Sequence, residues 1–231
     1  MIISHKYKFI FIKTRRTGTS SFEAEVFPYL GKNDIMTGVY HMGKNTKGYF
    51  NPIPDLKWWL KYKYLCGPEC ILKNFLWCVR YYNHIPAEVV RSRVGRKIWE
   101  DYFKFTIERN PFEKEVSLYL HHKYVYNRKK YTFDDFMKED DHCLNYPIYT
   151  IDGEVAVDYV CRFSRLEKDL KYVAKKVGFP FEGLKHKISQ HSATPNEKRE
   201  ALELAYTKYR DKIREIFKKE YEIWGDGLDK F

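Results

Sequence analysis

Long apolar runs are missing from this chain of 231 residues. The opening MIISHKYKFIFIK has its apolar core cut by His5, Lys6 and Lys8, which makes it too short for a signal peptide or a membrane span. No other stretch approaches the ~20 apolar residues that a crossing helix needs. The expectation is a soluble, cytoplasmic protein with no membrane span. Cysteine is sparse and odd in number, at five (Cys66, Cys70, Cys78, Cys143, Cys161), which suits reduced thiols better than a disulfide framework. CGPEC together with Cys78 and His84 has no common zinc spacing, so no metal is expected. Repeats and low-complexity linkers are also absent, with 12 glycines and 9 prolines scattered along the chain. That pattern predicts a single domain over residues 1–231. Acidic residues are in deficit, 31 against 42 basic, for a net charge of +11. Such an excess favours an anionic partner without choosing among nucleic acid, phosphorylated cofactor, acidic glycan and membrane surface.

Apolar residues make up 44% of the chain and aromatics 18%, enough to build a core. Lys8 to Ile12 reads as a short buried strand, and the basic loop KTRRTGTSS follows it directly. Ser20 and Glu23 have the S-x-x-E form of a capping box, predicting a helix from about Ser21 to Pro28. Residues 31–80 read as irregular, rich in aromatics, lysines and prolines. IPAEVVRSRVGRKIW reads as a helix with Pro86 in its first turn and Val89, Val90 and Val94 on one side. Tyr102 to Ile107 is a second strand, after which Asn110 and Pro111 supply the N-cap and N1 residue of a helix through Leu120. Further along come a short helix capped at Thr132, a strand in EVAVDYVCRF and a helix stopped by Gly178. A capping box at Thr194 then opens a helical tail, which carries Ile213, Ile216, Phe217 and Trp224 and stops at Gly225. Strands alternating with helices predict an α/β layered fold with a mostly parallel central sheet flanked by helices. Ligands of such sheets bind beyond the carboxyl ends of the strands, where both arginine-bearing loops fall.

A loop that joins a strand to a helix N-terminus offers free amides and the positive end of a dipole to an anion. In KTRRTGTSS, Gly18 allows close backbone approach, Thr17, Thr19, Ser20 and Ser21 offer hydroxyls, and Lys13, Arg15 and Arg16 offer charge. No Walker A pattern is present, and a solvated basic turn has the same composition. In the second loop Arg109 ends a strand, and Ser117 stands about two turns beyond Asn110 on nearly the same helix azimuth. Arg109 and Ser117 are therefore placed to share one phosphate, the arginine through its bidentate fork.

These loops, with RRTGTSS at Arg15–Ser21 and IERNPFEKEVSLY at Ile107–Tyr119, resemble the two signatures of the sulfotransferases that use 3′-phosphoadenosine 5′-phosphosulfate (PAPS). The resemblance is greatest to the branch of the heparan sulfate 2-O-sulfotransferases and its bacterial and viral relatives. NHIPAEVVRSRVGRKIWEDYFKF, VDYVCRFSRLEKDLKYVAKKVGF and YTKYRDKIREIFKKEYEIWG are similar to further segments of that family, in the same order. The resemblance implies a P-loop-like three-layer fold. Arg15, Arg16, Thr17, Gly18, Thr19, Ser20 and Ser21 would hold the 5′-phosphosulfate, and Arg109 and Ser117 the 3′-phosphate. It also implies transfer of the sulfuryl group to an acceptor hydroxyl, of a carbohydrate in the first instance, without a metal.

Three positions depart from the family pattern: Arg16 replaces the usual lysine, Ser164 the usual glutamate, and Trp224-Gly225-Asp226 the closing FGY. Arg16 is the first choice for the cation at the leaving group and Lys13 the second. His84 is the implied base, although a helix-capping role suits it too, and His41 is the runner-up. The aromatic, lysine-rich Tyr49–Tyr64 segment is expected on the acceptor side. The alternatives are a family member that binds the cofactor without transferring sulfate and a basic nucleic-acid-binding protein. The second is disfavoured by the absence of any recognition motif.

Overall fold

A computed structural model describes residues 1–37, 81–185 and 193–231. His41, the Tyr49–Tyr64 segment and Cys66, Cys70 and Cys78 lie outside the described residues. In chain order the elements begin with β1 (Ile2–Ser4), β2 (Phe9–Ile12), α1 (Thr19–Val26) and β3 (Ile35–Met36). After the undescribed stretch come α2 (Ala87–Val94), α3 (Arg96–Asp101), β4 (Phe103–Glu108), α4 (Pro111–Val125), α5 (Phe133–Phe136) and α6 (Tyr146–Tyr149). The hairpin β5 (Thr150–Ile151) and β6 (Glu154–Val155) precedes β7 (Tyr159–Arg162) and α7 (Leu166–Val177). The tail forms α8 (Pro195–Tyr206), α9 (Arg210–Ile216) and α10 (Lys218–Trp224).

Five strands form one sheet in the order β3-β1-β2-β4-β7. β2, β4 and β7 run parallel, whereas β1 is antiparallel to both β2 and β3. The sheet is thus mixed and not all parallel: β3, β2, β4 and β7 run the same way, and β1 is reversed between β3 and β2. The polar residues 5–8 that interrupt the first apolar run are a turn, and the chain doubles back there instead of entering a crossover. Asp34 secures this turn: its carboxylate accepts from the Ser4 hydroxyl (2.8 Å) and from the amides of His5 (2.7 Å) and Lys6 (3.1 Å). Residues 35–36, expected to be irregular, form the edge strand β3 against β1.

Alternation along β2 gives each sheet face its own core, as the period of two of a strand requires. Phe9 and Phe11 pack with Phe22 of α1, Phe105, and Leu166, Leu170 and Val173 of α7 on one face. Ile10 and Ile12 pack with Val89 and Val90 of α2 and with Ile148 and Tyr149 of α6 on the other. Helices therefore cover both faces of the sheet. Phe22 of α1 meets Phe11 edge-on at 4.9 Å and Phe105 edge-on at 5.6 Å, contacts that fix the seat of α1 beyond simple burial. A third core joins α4, α5, α8 and α9 around Phe112, Phe136 and Phe217. Among the described residues no helix is long and apolar enough to cross a membrane.

The caps follow the sequence closely. Asn110 accepts from the Glu113 amide ahead of Pro111, Thr132 and Thr194 form capping boxes with Asp135 and Glu197, and Gly178 ends α7 with φ 75°. Gly225 ends α10 with φ 59°. The expected tail helix is broken into three, with Ile213 and Phe217 buried. Ser164 pins the C-terminal residues, its hydroxyl donating to the Lys230 carbonyl and its amide to that of Phe231, both at 2.6 Å.

Beneath the third core lies a fully buried ionic group. Lys114 Nζ of α4 stands 2.9 Å from Glu108 Oε1 at the end of β4 and 3.9 Å from Glu220 Oε1 of α10, and all three side chains are 0% exposed. The ammonium also sits 4.7 Å above the Phe217 ring. Burial raises the Glu220 carboxyl to about 7, against the pull of Lys114 and with the push of Glu108. In the unfolded chain that carboxyl ionises near 4.5. As pH rises from 4.5 to 7 the unfolded state therefore loses its proton first, and folding stability falls. Since one pKa unit is worth about 1.4 kcal/mol, the loss is about 3 kcal/mol from this group alone. Glu220→Gln removes the titration. Urea denaturation at pH 5 and pH 8 is expected to show the variant gaining on the wild type by that order across the interval, and parallel stabilities would refute the assignment.

Candidate functional site

Parallel pairing sets Ile12 of β2 opposite Thr106 of β4, so the loops leaving these strands emerge side by side. Two threonines stitch them together. The Thr106 hydroxyl donates to the Ile12 carbonyl at 2.7 Å, and the Thr14 hydroxyl donates to that of Ile107. Thr14 and Thr17 share a further contact of 2.8 Å between their hydroxyl oxygens. Thr17, Thr19 and Ser21 are buried.

The expected capping box is not formed. α1 starts at Thr19, and its N-cap is Gly18 with φ 74° and no side-chain cap. Glu23 does not reach back to the helix start; its carboxylate turns inward and meets Lys13 Nζ at 2.7 Å. The reason is electrostatic: a buried ammonium needs a carboxylate, whereas amides at a helix start have other acceptors available. A Cβ at Gly18 would lie 2.8 Å from Phe163 Cε2, so the ring of the segment after β7 presses on the loop backbone there. Arg16 also has a left-handed backbone, with φ 57°, which a non-glycine residue adopts only when its surroundings hold it.

The two arginine loops meet through Arg16. Its Nε donates to Ser117 Oγ at 3.2 Å, and a terminal nitrogen donates to the Ser117 carbonyl at 2.9 Å. Arg109 donates to the Arg16 carbonyl at 3.4 Å, which closes the circuit. Arg109 and Ser117, expected to share one phosphate, are thus linked to each other through Arg16. The Arg109 fork instead engages Glu113 Oε2, one turn along α4, at 2.9 and 2.7 Å, and its guanidinium lies 4.1 Å over the Phe163 ring. Burial, aided by the neighbouring Arg109 and Arg15, lowers Arg16 to about 10, which still leaves it charged at neutral pH.

His84 reaches the same place from the far side. Its Nδ1 lies 3.2 Å from the Lys13 carbonyl. A carbonyl only accepts, so the contact requires the proton on Nδ1 and leaves Nε2 as the basic nitrogen. Burial, then Lys13 and Arg15, push His84 well below the ordinary histidine range, so the ring is neutral at pH 7. It does not belong to α2, whose N-cap is Pro86. Lys13, Arg15, Arg16, Gly18, His84, Arg109 and Ser117 thus converge on one end of the sheet. The arrangement is cationic, offers donors from two strand–helix loops, and includes a neutral imidazole.

Asn145 was not marked by the sequence. Its Oδ1 accepts from the Arg15 amide at 2.8 Å and its Nδ2 donates to the Arg15 carbonyl at 3.1 Å. The CLNYP context carries no motif, and only the fold brings it to the loop. The Arg15 side chain extends to Asp141 at 3.3 Å and to the His142 carbonyl at 3.4 Å. Among the described residues no group of His, Cys, Asp and Glu is arranged to hold a metal.

No family model and no solved structure matches the chain. An uncharacterized protein of Archaeoglobus fulgidus is 38% identical over 103 residues, an alignment that spans 42% of this chain and 86% of the archaeal one.

Gly18 gives the most direct test of the geometry of the loop. Gly18→Ala places a side chain in the left-handed region, at ~1–2 kcal/mol, and drives its methyl into Phe163. Chemical denaturation is expected to show a loss of about that size or more, and an unchanged midpoint would contradict this loop conformation.

Proposed function

We propose that this chain, which belongs to one family with the Archaeoglobus fulgidus protein, is a PAPS-dependent sulfotransferase with a P-loop-like three-layer fold. The observation that carries the reading is the contact of Arg16 with Ser117, which joins the two loops that resemble the phosphosulfate and 3′-phosphate signatures. A cofactor phosphorylated at both the 3′ and the 5′ position of one ribose needs two neighbouring anion sites, which the loops after the adjacent strands β2 and β4 can supply. A nucleotide such as ADP, with its phosphates at one end, does not need the second loop.

In the reaction an acceptor hydroxyl oxygen forms a bond to sulfur while the bond from sulfur to the bridging phosphate oxygen breaks. Adenosine 3′,5′-bisphosphate leaves with the electron pair, and the hydroxyl proton passes to a base. As in phosphoryl transfer, most of the catalysis is positioning and charge stabilisation. Arg16 is suited to the charge that develops on the leaving oxygen, because its guanidinium cannot lose its proton at working pH. Lys13 is less suited, since Glu23 already neutralises it. His84, neutral with Nε2 open for a proton, takes the part of the base. The amides at the start of α1 and the hydroxyls of Ser20 and Ser21 serve the 5′ end. A carbohydrate hydroxyl is the acceptor class taken here.

Arg109 must then exchange Glu113 for, or share it with, the 3′-phosphate. Calorimetric titration is expected to show tight binding of adenosine 3′,5′-bisphosphate and weak binding of ADP, with the former lost by at least ~10-fold in Arg109→Ala, about 1.4 kcal/mol. Equal or absent binding of the two nucleotides would sink the reading. Binding of the bisphosphate without sulfate transfer to any hydroxyl acceptor would leave a cofactor-binding protein only. Glu113→Gln removes a competing carboxylate from the same fork and is expected to tighten bisphosphate binding several-fold. Weaker binding in that variant would mean that Glu113 orients Arg109 for the phosphate and does not compete with it.

A further inference from the structure

We propose that Asn145 is a positioning residue that sets the anion-binding conformation of the loop through a two-point clamp on the backbone of Arg15. The inference rests on the reading of that loop as a phosphosulfate site. The clamp is an amide facing a peptide: Asn145 Oδ1 takes the Arg15 N–H at 2.8 Å, and Nδ2 gives a proton to the Arg15 carbonyl at 3.1 Å. Cys143 Sγ lies 3.4 Å from the same carbonyl. The Arg15 carbonyl belongs to the peptide that enters Arg16, whose left-handed φ of 57° aims its guanidinium at Ser117. Fixing that peptide plane therefore fixes where the Arg16 charge is delivered.

The clamp is itself anchored. Asn145 is fully buried, its backbone amide donates to Glu220 Oε1 at 3.1 Å, and its Nδ2 lies 3.3 Å from Glu108 Oε1. The buried ionic group of Glu108, Lys114 and Glu220 thus holds the residue that holds the loop. A side chain with this task must carry one acceptor and one donor at the spacing of a peptide. A primary amide has both, and so does a protonated carboxylic acid, whereas an ionised carboxylate has acceptors alone.

That difference makes Asn145→Asp the test. The new carboxyl would meet Glu108 of β4, Glu220 of α10 and the Arg15 backbone that Cys143 also touches; Lys114 of α4 lies beside both glutamates and Tyr149 of α6 beside Glu108. Burial and the Glu108 carboxylate, joined by Glu220 once that group ionises at about 7, favour the protonated form of the new carboxyl at the acid end, and it loses its proton as pH rises. Adenosine 3′,5′-bisphosphate binding would be measured calorimetrically from pH 5.5 to 8.5 in wild type and variant. The expected result is near-wild-type affinity at the acid end and a loss of at least ~10-fold relative to wild type at the alkaline end, about 1.4 kcal/mol, with the thermal midpoint monitored at each pH. A variant that matches wild type throughout, or is equally impaired at every pH, overturns the proposal.

Hydrogen exchange at the Arg15 amide gives a readout that needs no nucleotide and, in the wild type alone, no variant that folds. Protection comparable to the β4 ladder supports the clamp, and exchange at the rate of an open loop overturns it. If wild type binds no bisphosphate, the sulfotransferase reading fails. The exchange experiment then still decides whether Asn145 sets the loop.

Discussion

A single ammonium, Lys114, organises the half of the molecule that carries the candidate site. It is fully buried between two carboxylates, each on a different element, so β4, α4 and α10 cannot separate without exposing an uncompensated charge. Breaking such a pair by removing one partner typically costs about 3–5 kcal/mol, even where an apolar replacement of the whole group would not. Burial alone would pull the lysine down, but Glu108 and then Glu220 outweigh it and raise it, so the ammonium form persists. The excess negative charge is relieved at Glu220, where burial and Glu108 favour the neutral acid. The same carboxylates receive Asn145, whose amide grips the loop after β2. A buried polar network of this kind contributes more to specifying one arrangement than to net stability.

The sheet solves a separate problem. Parallel neighbours β2 and β4 bring two loops, far apart in sequence, to the same edge, and Thr106 and Thr14 bind each loop root to the carbonyl of the opposite strand. β1 runs antiparallel to β2. It covers the flank of β2 and lets Asp34 satisfy the backbone of the turn between them. Each element thus either presents the loops or shields the strands that present them.

What the sequence made legible followed short-range rules. Asn110-Pro111, Thr132, Thr194-Pro195 and Gly178 act through neighbours within about a turn; the first three start helices and the last stops one, where local chemistry says they must. Ser20 and Glu23 had the same signature and failed, because Glu23 has a long-range partner in Lys13 that local spacing does not contain. The strand Ile2–Ser4 was hidden by His5–Lys8, which read as the end of an apolar segment and not as a turn between two. At the site, Arg15, Arg16, Gly18, Arg109, Ser117 and His84 were recognisable by type and position. Their pairing was not, since the choice of Ser117 by Arg16 and of Glu113 by Arg109 depends on side-chain reach across elements. Asn145 lies beyond such reading altogether, as an asparagine before a tyrosine and a proline has no signature until the fold places it.

The two cations first considered for the leaving group are separated by their surroundings. An ammonium is a strongly hydrated point charge, and in a buried position it takes the nearest carboxylate; Lys13 does this with Glu23 at 2.7 Å, and the pair presents little net field to a ligand. A guanidinium is more weakly hydrated and tolerates partial burial against neutral donors and acceptors. Arg16 makes two of its contacts with a serine hydroxyl and a backbone carbonyl. Burial and two neighbouring arginines bring it down to about 10, and at pH 7 a group with that value is still protonated in all but about one molecule in a thousand. An arginine at this position therefore keeps its positive charge where two like charges and a dry environment would drive a lysine much closer to deprotonation. Lys13, paired with Glu23, ties α1 to the end of β2.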